Sequence, residues 1–287
     1  MLRDGALAGK AALITGGASG LGLVMAERFG GLGCRLALVG RSDERLTQAG
    51  LSLRASDVEV FTQAADVRDA EAIEASVVAA ESAIGPIDIL VNNAAGNFLA
   101  TTEDLSPNAF NAVVQTVLYG TFHTTMAVGR RMIAAGRGGT VLNIVTTYAW
   151  TGSAFVVPSA VSKAGVLAMT RSLAVEWAVY GIRLNAIAPG PFPTEGARTR
   201  LLPTAELEAR SLARIPMNRF GKPEELAELA AFMVSDAAPF INGECVTIDG
   251  GGWLMSGLFN TLATMPREEV KSMFESIRTA TRREGGS

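Results

Sequence analysis

Tyr148, Ser159 and Lys163 follow one another at spacings of eleven and four residues, with Asn97 upstream of them. A phenol is a proton donor with a free pKa of about 10, and a neighbouring ammonium lowers it, so Tyr148 and Lys163 carry the strongest chemical signal. Ser159 bears an aliphatic hydroxyl, a much poorer acid, and is not expected to take the phenol's part. Tyr148 follows the apolar run 140–145, and Asn97 follows the turn at Gly96 that closes the run 87–92. If both runs are strands, both side chains reach one C-terminal mouth of a sheet. An amide and a phenol there can donate to a single oxygen, as an oxyanion hole does. The plainer alternatives are that Tyr148 is a rim aromatic and that Asn97 caps a loop.

A second constellation would hold a dinucleotide. The run 11–15 leads into Gly16-Gly17-Ala18-Ser19-Gly20-Leu21-Gly22, and a helical pattern follows. Glycines permit a tight turn and let bare backbone approach a pyrophosphate, while the helix N-terminus offers its free N–H groups. Gly16, Ser19, Gly20, Leu21 and Gly22 are therefore candidate contacts. The run 35–39 ends in Gly40-Arg41-Ser42. An acidic residue there would bind a ribose 2′-hydroxyl and repel a 2′-phosphate. Gly40 takes its place, Arg41 offers a guanidinium and Ser42 a hydroxyl, so NADPH is the expected cofactor unless Arg41 is only a surface charge. The small residues after Asn92-Asn93, namely Ala94-Ala95-Gly96, let a nicotinamide ribose lie against the backbone near Asn93 and Ala94. Asn92 itself is expected to bridge neighbouring strands.

The elements that must position these residues are legible as alternation. Strand candidates at 11–15, 35–39, 58–62, 87–92, 140–145, 183–188 and 244–248 are nearly continuous in apolar residues, as strands buried on both faces are. Amphipathic stretches such as 21–30, 69–84 and 223–234 lie between them, the last opening on Pro223-Glu224-Glu225. The central stretch 108–133 and the stretch 159–179 read as helices able to pair between subunits. The alternation predicts an α/β fold: a single-domain Rossmann-type, doubly wound, seven-stranded parallel sheet with helices on both faces, spanning residues 1–287. Two segments break the rhythm. The stretch 189–216 is a long loop, whose part 191–216 is expected to be a substrate lid, and 253–287 is a C-terminal extension ending in a solvated helix.

Composition narrows the partners. With 48% hydrophobic residues and a net charge of −3, the chain has a sizeable core and no basic field for nucleic acid or an anionic membrane. A single histidine, His123, excludes a histidine-rich metal site, and no metal is expected. Cys34 and Cys245 read as reduced core residues. There is no apolar signal core, no membrane-length run and no peroxisomal address in Gly285-Gly286-Ser287, so the cytoplasm is the expected compartment.

Over about residues 5–260 these motifs resemble the short-chain dehydrogenase/reductase family. That family's usual Tyr-x-x-x-Lys reads Ser159-Ala160-Val161-Ser162-Lys163 here. Thr146 stands where its orienting serine would be and Val117 where its helix asparagine would be. The run from Asn92 to Phe98, then Tyr148, Phe155-Val156-Val157-Pro158-Ser159-Ala160 and Lys163, is similar to the family's NADPH-dependent 2,4-dienoyl-CoA reductases, as are Pro189-Gly190-Pro191, Thr194 and Arg214-Ile215-Pro216. In those enzymes the tyrosine has moved eleven residues upstream of its usual position.

The resemblance implies that Asn97 and Tyr148 hold a thioester carbonyl while Ser159 and Lys163 anchor the nicotinamide ribose. It implies that Asp66 and Val67 hold the adenine, Asp66 accepting from its amine, although Asp66 could cap the next helix instead or as well, and that Pro189 and Gly190 lie by the cofactor. Phe98, Phe155 and Phe192, with Leu201 and Leu202, would meet the acyl group, while Arg198, Arg200 and Arg214 would meet CoA phosphates or serve as plain surface charges. The implied activity is reduction of a 2,4-dienoyl-CoA to a 3-enoyl-CoA in fatty-acid β-oxidation by a homotetramer. The competing expectations are a reductase of a 2-enoyl thioester or a ketone, and an NADP-binding protein without turnover.

Overall fold

The computed structural model describes residues 2–194 and 204–284. Among them, strands β1 (Ala11–Thr15), β2 (Arg35–Gly40), β3 (Val60–Ala64), β4 (Ile89–Asn92), β5 (Gly139–Ile144), β6 (Ile182–Pro189) and β7 (Cys245–Ile248) form one parallel sheet. Their order is β3-β2-β1-β4-β5-β6-β7. The chain thus winds outward in both directions from β1 and β4. A sheet of this kind opens a ligand crevice at that switch point, beyond the carboxyl ends of the strands. The register aligns those ends: Thr15 pairs with Val39 and with Asn92, and Asn92 pairs with Asn143.

Successive strand residues point to opposite faces, and both faces are covered. Ala12 and Ile14 of β1, with Leu36 and Leu38 of β2, join Met25 and Phe29 of α1 (Gly20–Gly31) and the helix Pro223–Val234 in one core. Ala11, Leu13, Ala37 and Val39 join α3 (Ala70–Ile84) and α5 (Gly120–Ala135) in the other. That two-sided burial is why the strands read as unbroken apolar runs. Each fully buried aliphatic side chain contributes roughly 1.5–3 kcal/mol relative to exposure.

The strand expected at 87–92 begins at Ile89, and three further elements depart from the sequence reading. The strand expected at 58–62 begins at Val60. Asp57 takes a left-handed φ of 58°, and the Val58 N–H closes onto the Leu53 carbonyl at 3.1 Å, so Val58 completes the turn after α2 (Asp43–Arg54). The central helix is interrupted: α4 (Pro107–Val114) passes through a π turn at Gln115–Tyr119 into α5, with buried Val117 inside the turn. The expected long loop contains a helix, Ala205–Ala213, started by Thr204, whose hydroxyl accepts from the Leu207 N–H at 3.2 Å, and by the early carboxylates Glu206 and Glu208. The lid residues Arg198, Arg200, Leu201 and Leu202 lie outside the described residues. Two further helices complete the site's scaffold: a single turn, α6 (Tyr148–Thr151), and α7 (Val157–Glu176). The C-terminal extension forms 3-10 turns at Gly252–Ser256 and Leu258–Thr264 and the helix Arg267–Glu284.

Asn92 is a bridge between elements, its Nδ2 donating to Asn143 of β5 at 2.8 Å and to Thr125 of α5 at 2.9 Å. His123 is a helix residue with Nδ1 3.1 Å from the Val67 carbonyl. Both cysteines are free thiols, and burial pushes Cys34 up to about 12 and Cys245 up to about 11. Among the described residues no helix is long and apolar enough to cross a membrane, and no group of side chains could hold a metal ion.

Candidate active site

Four elements converge beyond the carboxyl ends of β4 and β5. The chain leaves β4 through Ala94-Ala95-Gly96 and delivers Asn97; it leaves β5 through Val145–Thr147 and starts α6 with Tyr148; α7 brings Ser159 and Lys163. Asn97 Nδ2 donates to the Tyr148 hydroxyl at 3.3 Å, and that hydroxyl lies 3.1 Å from Ser159 Oγ. The Phe98 N–H donates to Asn97 Oδ1 at 2.9 Å, which fixes the amide so that its N–H₂ end faces the phenol. All four side chains line one cavity of about 470 Å³, with Leu21, Asn93, Thr146, Pro189, Gly190 and Phe192 in its walls.

Lys163 is buried within this wall, and its Nζ donates to the carbonyl of Ile144, the last residue of β5. Desolvation pushes its pKa down from 10.5 to about 8. The folded pKa therefore lies below the unfolded one, and between about pH 8 and 10.5 the unfolded chain binds more protons. Lys163 adds stability as pH rises through that window, and this contribution is lost as pH falls toward 8. Urea unfolding of Lys163→Met is expected to show a shallower rise in stability over that range than the parent, and equal slopes would contradict the assignment.

A second groove, of about 290 Å³, adjoins the first through Asn93 and Ala95. Its floor is the glycine turn. Gly16 has a left-handed φ of 64°, and a Cβ on Gly22 would fall 2.3 Å from the Gly16 carbonyl oxygen. Asn93 clamps this turn, its Nδ2 donating to the carbonyls of Thr15 and Gly16 at 3.1 and 3.2 Å, while Thr15 Oγ1 accepts from the N–H groups of Asn93 and Ala94. Ser19 occupies the cap position of α1 without a side-chain cap bond and lines the groove, together with Gly40, Arg41, Ser42 and Val67. Gly20 follows with a φ of 53°.

These features fit a dinucleotide phosphate. A bare turn meets a helix N-terminus for the pyrophosphate, and the far wall holds guanidinium groups with no carboxylate among its described lining residues. Ser42 also caps α2, accepting from the Arg45 N–H at 3.3 Å.

The cap role considered for Asp66 falls to Asp69, whose carboxylate accepts from the N–H groups of Glu71 and Ala72. Asp66 pairs with Arg68 at 2.6 Å, and that hydrogen-bonded guanidinium holds its carboxyl below the usual range. Phe192 is a buried wall of the cavity. Phe98 and Phe155 stand outside its walls on the adjacent surface, Phe155 at a left-handed φ of 65° with its carbonyl accepting from the Ala100 N–H at 3.0 Å. Arg214 is exposed.

The sequence reading overlooked Arg45 and Thr116 in the groove, and Ser211 and Phe220 in the cavity. Arg45 carries a signal in retrospect, a cation placed four residues after Arg41 in a helix's first turn. The other three carry none, because the π turn places Thr116, the helix Ala205–Ala213 places Ser211, and the irregular stretch before the helix Pro223–Val234 places Phe220.

Comparison with known proteins gives this geometry a lineage. The family model described as enoyl-(acyl carrier protein) reductase matches residues 16–252. A Bacillus subtilis protein named "Probable 2,4-dienoyl-CoA reductase [(2E)-enoyl-CoA-producing]" is 45% identical over 85% of this chain and 97% of its own length. The Arabidopsis thaliana "Peroxisomal 2,4-dienoyl-CoA reductase [(3E)-enoyl-CoA-producing]" is 36% identical over 96% of this chain and 93% of its own. Among solved structures, a short chain dehydrogenase from Bacillus anthracis is 44% identical with a TM-score of 0.79, covering 86% of this chain and 98% of that one. A Beutenbergia cavernae structure with bound NADP is 31% identical with a TM-score of 0.82, covering 88% and 100%. The chain is an oxidoreductase of the short-chain dehydrogenase/reductase family.

Proposed function

We propose that the protein reduces a 2,4-dienoyl-CoA thioester to a 3-enoyl-CoA with NADPH, as a step in unsaturated fatty-acid β-oxidation. The observation that carries this reading is the Tyr148 hydroxyl lying between Asn97 Nδ2 and Ser159 Oγ at the mouth of the sheet. The relatives' names support the substrate class, and their products differ in double-bond position.

When bound, NADPH would supply a hydride to the substrate. Hydride arriving at C5 breaks the C4–C5 π bond, and the electron pair spreads through C4, C3 and C2 onto the thioester oxygen. Asn97 Nδ2 and the Tyr148 hydroxyl are placed to donate to that oxygen. Two fixed neutral donors stabilise charge that develops only in the transition state, which lowers the barrier rather than merely tightening binding. A proton then adds at C2 and the thioester carbonyl is restored. The described cavity walls hold no carboxylate and no histidine, and water entering the cavity is the donor taken in this reading. Ser159 Oγ and Lys163 Nζ would anchor the nicotinamide ribose, with Lys163 held by its bond to the Ile144 carbonyl. A ketone reductase would need a proton donor to the oxygen on the carbon that takes the hydride, and Ser159, an aliphatic alcohol, stands where the family's phenol would be.

The cofactor preference rests on Arg41. Arg41→Ala is expected to weaken NADPH binding about tenfold or more and to leave NADH binding almost unchanged, since only the former carries the 2′-phosphate. Titration of nicotinamide fluorescence checks this, and an equal loss for both would remove Arg41 from the specificity site. The function itself is tested by mixing the protein with NADPH and 2,4-hexadienoyl-CoA and following the dienoyl absorbance. Loss of that absorbance in step with NADPH oxidation is expected. Tight NADPH binding without turnover would move the protein to the non-catalytic reading. The exposed Val161 and Val175 on α7, with Phe122 on α5, support assembly as a homotetramer.

A further inference from the structure

We propose that Trp253 is a positioning residue for Tyr148, so that the C-terminal extension beyond the family match completes the active site. The inference rests on the role given to Tyr148 above. Tyr148 opens α6, a single turn of four residues with no fully buried side chain and no side-chain cap. Its own hydrogen bonds, Ala149 N–H to Thr146 at 3.0 Å and Gly152 N–H to Tyr148 at 3.1 Å, close the turn but do not fix it in the fold. Two contacts do. Ala149 packs on the small core around Val145 and Val166, and the Trp150 indole meets the Trp253 indole edge-to-face, centroids 5.7 Å apart at 88°.

Trp253 is itself tied down. The Asp249 carboxylate, just past β7, accepts from the Trp253 N–H at 2.7 Å and from the Gly251 N–H at 2.9 Å. Asp249 packs so closely on Gly190 of the cavity wall that a Cβ on that glycine would lie 2.5 Å from the aspartate's. A continuous path of contacts therefore runs from the cavity wall through Asp249, Trp253 and Trp150 to the turn that aims the phenol. Removal of the Trp253 ring frees one side of that turn, and a phenol displaced by even an ångström no longer shares its oxygen target with Asn97.

The test compares Trp253→Ala with Trp253→Phe, which keeps an aromatic edge for Trp150. With 2,4-hexadienoyl-CoA and NADPH, Trp253→Ala is expected to lower kcat about tenfold while leaving NADPH affinity and the unfolding midpoint near the parent's, and Trp253→Phe is expected to recover most of the loss. An independent readout needs no substrate. The chain has three tyrosines, so 3-fluorotyrosine labelling gives three fluorine resonances, with Tyr148 assigned by Tyr148→Phe. Trp253→Ala is expected to shift or broaden the Tyr148 resonance and leave those of Tyr119 and Tyr180 in place. An unmoved Tyr148 resonance overturns the proposal whether or not the dienoyl substrate is correct. A kcat within twofold of the parent, or a loss that Phe does not restore, overturns it too. Absent turnover in the parent, with a shifted resonance, would reject the substrate and keep the brace.

Discussion

Tyr148→Phe is expected to lower kcat on a 2,4-dienoyl-CoA by about 10²–10³-fold while leaving NADPH affinity within about twofold, because the cost of losing one oxyanion donor falls on the transition state. The change deletes a single oxygen from a ring held beside Asn97 and Ser159, so packing is preserved. Ser159 cannot substitute. Its hydroxyl sits 3.1 Å from the phenol oxygen, on the α7 side of the cavity, and an alcohol is a poorer donor to a growing negative charge. KM for the thioester should change little, since the ground-state carbonyl carries only partial charge. Steady-state kinetics with separately measured cofactor binding checks the result. A fall in kcat of less than tenfold would mean that the phenol does not carry the oxyanion.

Asn97→Ala should be nearly as costly, about 10²-fold in kcat, and for the same reason. Two effects combine. The amide donor is lost, and the Phe98 N–H, which now donates to Asn97 Oδ1, is left without that acceptor, so the turn after β4 loosens. Asn97→Asp separates them. It keeps an acceptor for the Phe98 N–H but places a negative charge where an oxyanion must form, and its kcat should fall further than that of the alanine variant. Because Asn97 and Tyr148 address one atom, the double variant should lose less than the product of the two single losses. Multiplicative losses would show that the two side chains act at different atoms.

The extent to which the sequence foretold this site follows from which interactions are local. β1 and the helix Pro223–Val234 were legible to the residue, because a continuous apolar run bounded by the glycine turn, and a proline with two carboxylates, are signals carried by neighbours in the chain. The displaced tyrosine was legible from residue types, since no other phenol lies near a strand end ahead of Lys163. β3 was misplaced by two residues because Asp57's left-handed turn has no glycine to announce it. The π turn at Gln115–Tyr119 was invisible because its residues suit an ordinary helix, and what surrounds it, the packing of α4 and of the turn itself on α7, is set by the fold. Arg45 was missed because its backbone signal, the cap bond to Ser42, says nothing of where its side chain goes. The Trp150–Trp253 contact joins residues far apart in the chain, and only the fold brings them together.

The central claim is that the site stabilises charge on a thioester oxygen remote from the carbon that takes the hydride. The most direct test is single-turnover reduction of 2,4-hexadienoyl-CoA by NADPH deuterated at both C4 positions, with the product read by NMR. The account predicts deuterium at C5, a solvent-derived proton at C2 and an intact thioester with its double bond at C3. Deuterium at C3 or at the carbonyl carbon would contradict it.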